Sequence, residues 1–151
     1  MTLVELLHHE RASILADALV RLERAQLPHY TQSNRNENQE RLAALYDLTV
    51  ECVTMRKLGP MTAHATDIAR TRFEGGFRLD EVHTAFNVLE ELIWHAITAQ
   101  LEPTQYPEAL GLVSTVLGAG KQALAQEYVA LAGNRRSQST LDVSALFQGT
   151  A

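Results

Sequence analysis

The sequence predicts an all-α fold, a single-domain bundle of about five main helices around one core. Three observations predict it. Apolar residues recur at three- and four-residue spacing along most of the chain. Glycine and proline fall between those stretches, at Gly59-Pro60, Gly75-Gly76, and Pro103 with Pro107. No stretch alternates apolar and polar residues as a half-buried strand does. The 151 residues, 46% of them hydrophobic, suffice for one core of ordinary size.

The first helix is expected over about Thr2 to Gln26. Thr2 with Glu5 three residues on has the form of a capping box, and Leu3, Leu7, Ile14, Ala18 and Leu22 repeat at helical spacing. Pro28 interrupts, and the Asn-rich stretch HYTQSNRNENQE reads as a loop. A second helix, about Glu37 to Leu58, places Leu42, Leu45, Tyr46, Thr49, Cys52 and Val53 on one side. Gly59-Pro60 is read as its end, glycine for a left-handed terminus and proline as a barrier to extension. A third, about Met61 to Glu74, turns Ala65, Ile68, Ala69 and Phe73 inward, and the turn residues Gly75 and Gly76 close it. The fourth, about Leu79 to Leu101, has a clear stripe of Val82, Phe86, Leu89, Ile93 and Ile97. The fifth, about Pro107 to Ala132, contains Gly111, Gly118 and Gly120. Each glycine there disfavours the helix by about 1 kcal/mol, which implies close approach by another backbone, within the chain or from a second copy. Residues 1–132 are thus expected to form one helical domain, and residues 133–151 a polar linker followed by a short apolar segment, LDVSALF. In that segment Leu141, Val143, Leu146 and Phe147 could dock on the bundle, dock on a partner, or begin a connection to a further domain.

Net charge is -5, which argues against non-specific nucleic-acid binding, and Arg135-Arg136 is too short a basic run to reverse it. No apolar run approaches the roughly 18 residues of a membrane span. The single Cys52 rules out an internal disulfide and suits a reducing cytoplasm, and the polar N-terminus lacks a signal-peptide core. A cytoplasmic location is therefore expected.

Chemistry-bearing patterns are sparse. EGGFRLDE has neither the glycine spacing nor the strand of a phosphate-binding loop and reads as punctuation between helices. Glu5 to His8 matches half of a helical di-iron motif, but a second copy is missing; Glu91 and His95, four apart, read as a surface pair. His9-Glu10 has the form of a phosphoaccepting dipeptide without a nucleotide-binding domain after it, and reads as a solvated face. His64, His83 and His95 are the candidates for a haem ligand, and each reads better as polar surface or packed interface. Cys52 falls on a buried face, where thiols are inert. No nucleophile–base constellation is legible, so no enzyme and no cofactor is expected. The flank of the fourth helix bearing His83, Asn87, Glu90 and Trp94 belongs either to the edge of a broad core or to a contact surface. With Gly111, Thr115 and Gly118 on one face of the fifth helix it forms the candidate interface of a homodimer.

The stretch IARTRFEGGFRLDEVHTAFNVLEELIWHAI resembles the N-terminal domain of RsbR/RsbRD-type RsbT co-antagonists. The likeness is in Arg70 and Arg72, then Gly76-Phe77, Leu79, Glu81-Val82 and Phe86, and LLHHERASILADALVRL is similar to the first helix of that family. It covers about residues 3–132. The resemblance implies a helical regulatory or sensor domain, globin-like without haem and often dimeric, in stress signalling. Relatives place it before STAS domains, kinases or transcription regulators; no such module is read after Ala132, so a stand-alone module that binds a protein partner is expected. A small-ligand or haem sensor with a pocket between helices is the alternative.

Overall fold

The computed structural model describes the backbone of residues 1–150 and the side chains of residues 1–135. Its elements are α1 (Leu3–His9), α2 (Arg11–Arg24), α3 (Pro28–Gln32), α4 (Arg35–Met55), α5 (Gly59–Glu74), α6 (Leu79–Gln100), a 3-10 turn (Pro103–Gln105) and α7 (Tyr106–Thr150). Among the described residues there is no strand, and the fold is all-α.

The expected first helix is two helices. Its capping box is present, with the Glu5 N–H donating to Thr2 Oγ1 at 3.1 Å and the Thr2 N–H to Glu5 at 3.4 Å. The break follows at Glu10, where φ and ψ are -91° and 1°. The buried Tyr46 hydroxyl donates to the Leu7 carbonyl at 2.5 Å. In an unbroken helix that carbonyl would serve the Arg11 N–H, so a side chain entering the ladder accounts for the kink.

The expected loop over residues 29–40 is also corrected. Pro28 opens α3, because its ring presets a helical φ and its missing N–H is not needed in a first turn. Asn34 caps α4, its side chain accepting from the Asn36 N–H at 2.7 Å. The asparagines that suggest a loop thus include a helix start. Gly59-Pro60 does not end the second helix. The left-handed terminus is Arg56, at φ 53°, with the Lys57 N–H returning to the Cys52 carbonyl, and Gly59 and Pro60 are the first residues of α5.

Gly75-Gly76 does close α5. The Phe77 N–H bonds the Arg72 carbonyl at 2.9 Å and the Gly76 N–H bonds the Phe73 carbonyl at 3.1 Å, the paired six-to-one and five-to-two pattern of a Schellman end. Gly76 takes φ 83°, whereas Gly75 is ordinary αR at -75°. A Cβ on Gly76 would also lie 3.3 Å from His29 Nε2. Gly76→Val is expected to destabilise the domain by about 1 kcal/mol or more, and an unchanged urea midpoint would contradict this.

The core sits where α6 and α7 cross the other helices. The whole α6 stripe is buried, as are Leu42, Leu45, Tyr46, Thr49, Cys52 and Val53 of α4. Each fully buried large apolar side chain stabilises by about 1.5–3 kcal/mol. Pairs along α6 and α7 fix an antiparallel register: Tyr106 Oη donates to Thr98 O, Lys121 Nζ to Asn87 Oδ1, and Tyr128 Oη to Phe77 O. α5 runs parallel to α7, joined by Arg70–Glu127 at 3.1 Å. Arg11–Asp47 and Arg21–Glu91 tie α2 to α4 and α6, but exposed pairs of this kind contribute at most about 1 kcal/mol each.

Among the described residues, Gly111 and Gly118 have open space where a side chain would stand. Gly120 meets a close approach, from the Met61 and Phe86 side chains and not from a backbone.

Candidate functional site

The α5–α6 turn builds the most elaborate polar arrangement among the described residues. Its centre is Glu81, which is 0% exposed although it lies in the first turn of α6. One carboxylate oxygen accepts the Arg78 N–H at 2.7 Å, just before α6. The other accepts the His29 N–H at 3.0 Å, in the first turn of α3. His29 Nδ1 completes the set, 2.8 Å from Oε2 and 3.1 Å from Oε1. One carboxylate therefore caps two helix starts and pins them together, where helix dipoles favour negative charge. Burial pushes the Glu81 carboxyl up; the backbone N–H groups of His29 and Arg78 and the His29 ring together outweigh it, and the net direction is below the ordinary value.

The Schellman turn delivers Phe77 into the same place. Its ring lies 5.1 Å from those of His29 and Tyr30 and about as far from two guanidinium groups, Arg41 at 5.5 Å and Arg72 at 5.7 Å. Its carbonyl accepts from Tyr128 of α7. Tyr128 also stacks edge-on with Phe73 at 5.5 Å. The turn thus connects α3, α4, α5 and α7 around one aromatic ring.

Beside it a cavity of about 260 Å³ opens between α4, α5 and α6, with Leu22 of α2 and Tyr30 of α3 also in its wall. Leu42, Leu45, Ile68, Val82 and Phe86 form its apolar wall; Tyr30, Asn38, Arg41, His64 and Arg72 bring polar groups, and the exposed Glu37 and Glu40 also line it. Arg41 is occupied by Ser33, Asn38 and Glu37, at 3.2, 3.4 and 3.5 Å. Arg72 Nε is sealed from solvent with no hydrogen-bond partner among the described residues. Burial and then the neighbouring Arg41 push the Arg72 guanidinium downward. Burial and then Arg72 push the His64 imidazole down as well, so His64 is neutral near pH 7.

These shifts set a pH dependence. Below about pH 6.5 the unfolded chain takes a proton on His64 that the folded one resists, so stability falls with acidification from there. The contribution of Glu81 is complete above about pH 4.5 and is lost as pH falls through its lower folded value. The urea midpoint is expected to decline between pH 7 and 5. His64→Gln should flatten that segment and leave the steeper loss below pH 4.5; a wild-type midpoint constant from pH 7 to 5 would contradict the account.

The residues singled out on α6 and α7 fall in two groups. His83, Asn87 and Glu90 gather on Lys121: Nζ lies 3.1 Å from both Asn87 Oδ1 and Glu90 Oε2, and His83 Nε2 is 3.4 Å from the Lys121 carbonyl. Trp94 is 41% exposed, and Gly111 and Thr115 are exposed on α7. The antiparallel register sets Trp94 about level with Gly111. His95 is exposed, and Glu91 pairs with Arg21. No group of three or more His, Cys, Asp or Glu side chains converges as metal ligands among the described residues. The backbone of residues 133–150 continues α7 where a linker is expected, and the side chains of Leu141, Val143, Leu146 and Phe147 lie outside the described ones.

Glu81, His29 and Arg72 are the site residues that sequence patterning missed as a cluster. Glu81 stands three residues after the N-cap Arg78, a readable capping position. Nothing local reveals that the same carboxylate reaches across 52 residues to His29.

A protein-family model described as the RsbT co-antagonist protein rsbRD N-terminal domain matches residues 14–140. The chain belongs to this family. The match starts later and ends later than the likeness read over about residues 3–132, and it takes in the α5–α6 turn, the cavity and most of α7. Membership places the domain in a regulatory stress-signalling family. No curated protein and no solved structure matches the chain. Among the described residues no helix is long and apolar enough to cross a membrane.

Proposed function

We propose that this rsbRD-type domain is a non-catalytic regulatory module that forms a homodimer and binds a protein partner in a cytoplasmic stress response. The observation that carries the reading is the family match over residues 14–140, which spans the α2–α7 bundle. The family name points to RsbT, or a protein of that kind, as the partner class. The dimer face we assign is the outer side of α6 and α7, with Trp94, the exposed Thr115 and the open positions at Gly111 and Gly118. Exposed aromatic groups beside small residues suit close helix contact. His83, Asn87 and Glu90 support that face from behind by holding Lys121, and hence α7, against α6. Residues 1–132 serve as the folded regulatory unit and residues 133–151, with Leu141, Val143, Leu146 and Phe147, as the segment that meets the partner.

Light scattering at high micromolar concentration should give twice the chain mass, and Trp94→Ala should return it to the monomer. A monomeric wild type would overturn the dimer. Pull-down with and without residues 141–151 tests the partner segment: retained stability with lost capture is the expected result, and equal capture would remove the segment from the interface.

A further inference from the structure

The cavity beside Phe77 has features that the partner-binding reading does not use. Its lining is mostly hydrocarbon, and it contains a guanidinium whose Nε is buried without a partner among the described residues. A protein of this size satisfies nearly all of its buried polar groups, so an unused donor in a cavity wall marks a missing acceptor. The second arginine is already shared with Glu37, Ser33 and Asn38. Tyr30, Asn38 and a neutral His64 add polar atoms that can contact a bound oxygen. At about 260 Å³ the space falls just below the roughly 300–1,000 Å³ of typical small-molecule sites, which suits a compact ligand.

We propose that this cavity binds a small amphiphilic carboxylate, its head on the Arg72 guanidinium and its apolar body among Leu42, Leu45, Ile68 and Phe86. A planar carboxylate matches the donor fork of an arginine and neutralises one charge. A phosphate dianion fits less well: it requires several converging donors, and Glu37 and Glu40, which also line the cavity, oppose a second negative charge. Because Arg72 and Arg41 flank the Phe77 ring and the Phe77 carbonyl holds Tyr128, the occupied site adjoins the contact that fastens α7.

Octanoate and benzoate are suitable probes, titrated calorimetrically into the full chain and followed by thermal melting. This readout needs no partner, so its outcome is separate from that of the pull-down. At least one of the two is expected to bind saturably at one site per chain and to raise Tm with concentration. Octanamide, benzamide and inorganic phosphate should bind at least tenfold more weakly. Arg72→Met, which removes the charge and keeps the hydrocarbon length, should weaken binding at least tenfold with an unchanged circular dichroism spectrum. Arg72→Lys, which keeps the charge without the fork, should weaken it several-fold. If Arg72→Met fails to fold, the wild-type comparison of acid with amide and the lysine variant decide the matter. No saturable binding of either acid, equal binding of an amide or of phosphate, or undiminished affinity in a folded Arg72→Met would each overturn the proposal.

Discussion

Glu81→Ala is expected to lower the unfolding free energy by about 3–5 kcal/mol, because a carboxylate that is itself 0% exposed holds three hydrogen-bond donors. The substitution strips the partner from two backbone N–H groups at helix starts and from the His29 ring. A donor left without an acceptor costs about 1–3 kcal/mol where it is buried, and these three are part-buried, so the low end of that cost for each already reaches the range. For a chain of this length one kcal/mol shifts Tm by about 2–4 °C, so a fall on the order of 10 °C should follow. Glu81→Gln keeps an acceptor oxygen and loses the charge, and its loss should be intermediate. Urea denaturation of both variants checks the order. A loss under about 1 kcal/mol for alanine would mean that the carboxylate does not hold α3 to α6 in solution. Surface carboxylates such as Asp47 set the contrast: Asp47→Ala, from an exposed pair, should stay within about 1 kcal/mol.

What patterning alone conveys depends on whether the deciding interaction is local. The α6 stripe was legible because burial on one face of a helix imposes a 3.6-residue period, and all five of its members are buried. The Gly76 turn was legible because few residues other than glycine accept a positive φ there. The kink at Glu10 was not, since it depends on a hydroxyl 39 positions away reaching the Leu7 carbonyl. Arg56 was missed for a different reason: it takes a left-handed conformation without being a glycine, and the nearby Gly59-Pro60 supplied a more obvious and mistaken stop. The site shows the same division. His83, Asn87, Glu90 and Trp94 were read as one flank from spacing. Their separation into three residues on Lys121 and one exposed ring depends on where α7 lies. The Arg72 cavity, assembled from five helices, has no local signature at all.

The α7 glycines allow a sharper test, because two identical residues two positions apart should respond in opposite directions. Gly120→Val is expected to destabilise the domain by about 1–3 kcal/mol. A Cβ there would stand 2.9 Å from both Met61 Sδ and Phe86 Cε1, inside any normal contact distance. Met61 is 0% exposed, and Phe86, at 1%, borders the Arg72 cavity, so Met61 is the side chain that a Cβ at this position overpacks. Overpacking a filled core costs about 1–3 kcal/mol for small additions, and valine adds two further carbons beyond the Cβ. The gain in helix propensity over glycine is under about 1 kcal/mol and does not offset this. Gly118→Ala meets nothing within 4 Å in the single chain. There the propensity gain of about 0.8–1.0 kcal/mol stands unopposed, and the monomer should become more stable. If α7 dimerises through the Gly111–Thr115–Gly118 face, the same methyl should weaken association while the melting temperature of the dilute, monomeric protein rises. Equilibrium unfolding at low concentration, paired with light scattering at high concentration, separates the two effects. Equal destabilisation by Gly118→Ala and Gly120→Val in the monomer would contradict the placement of both residues. Stability gained without any change in association would leave Gly120 as the packed glycine and remove Gly118 from the dimer face.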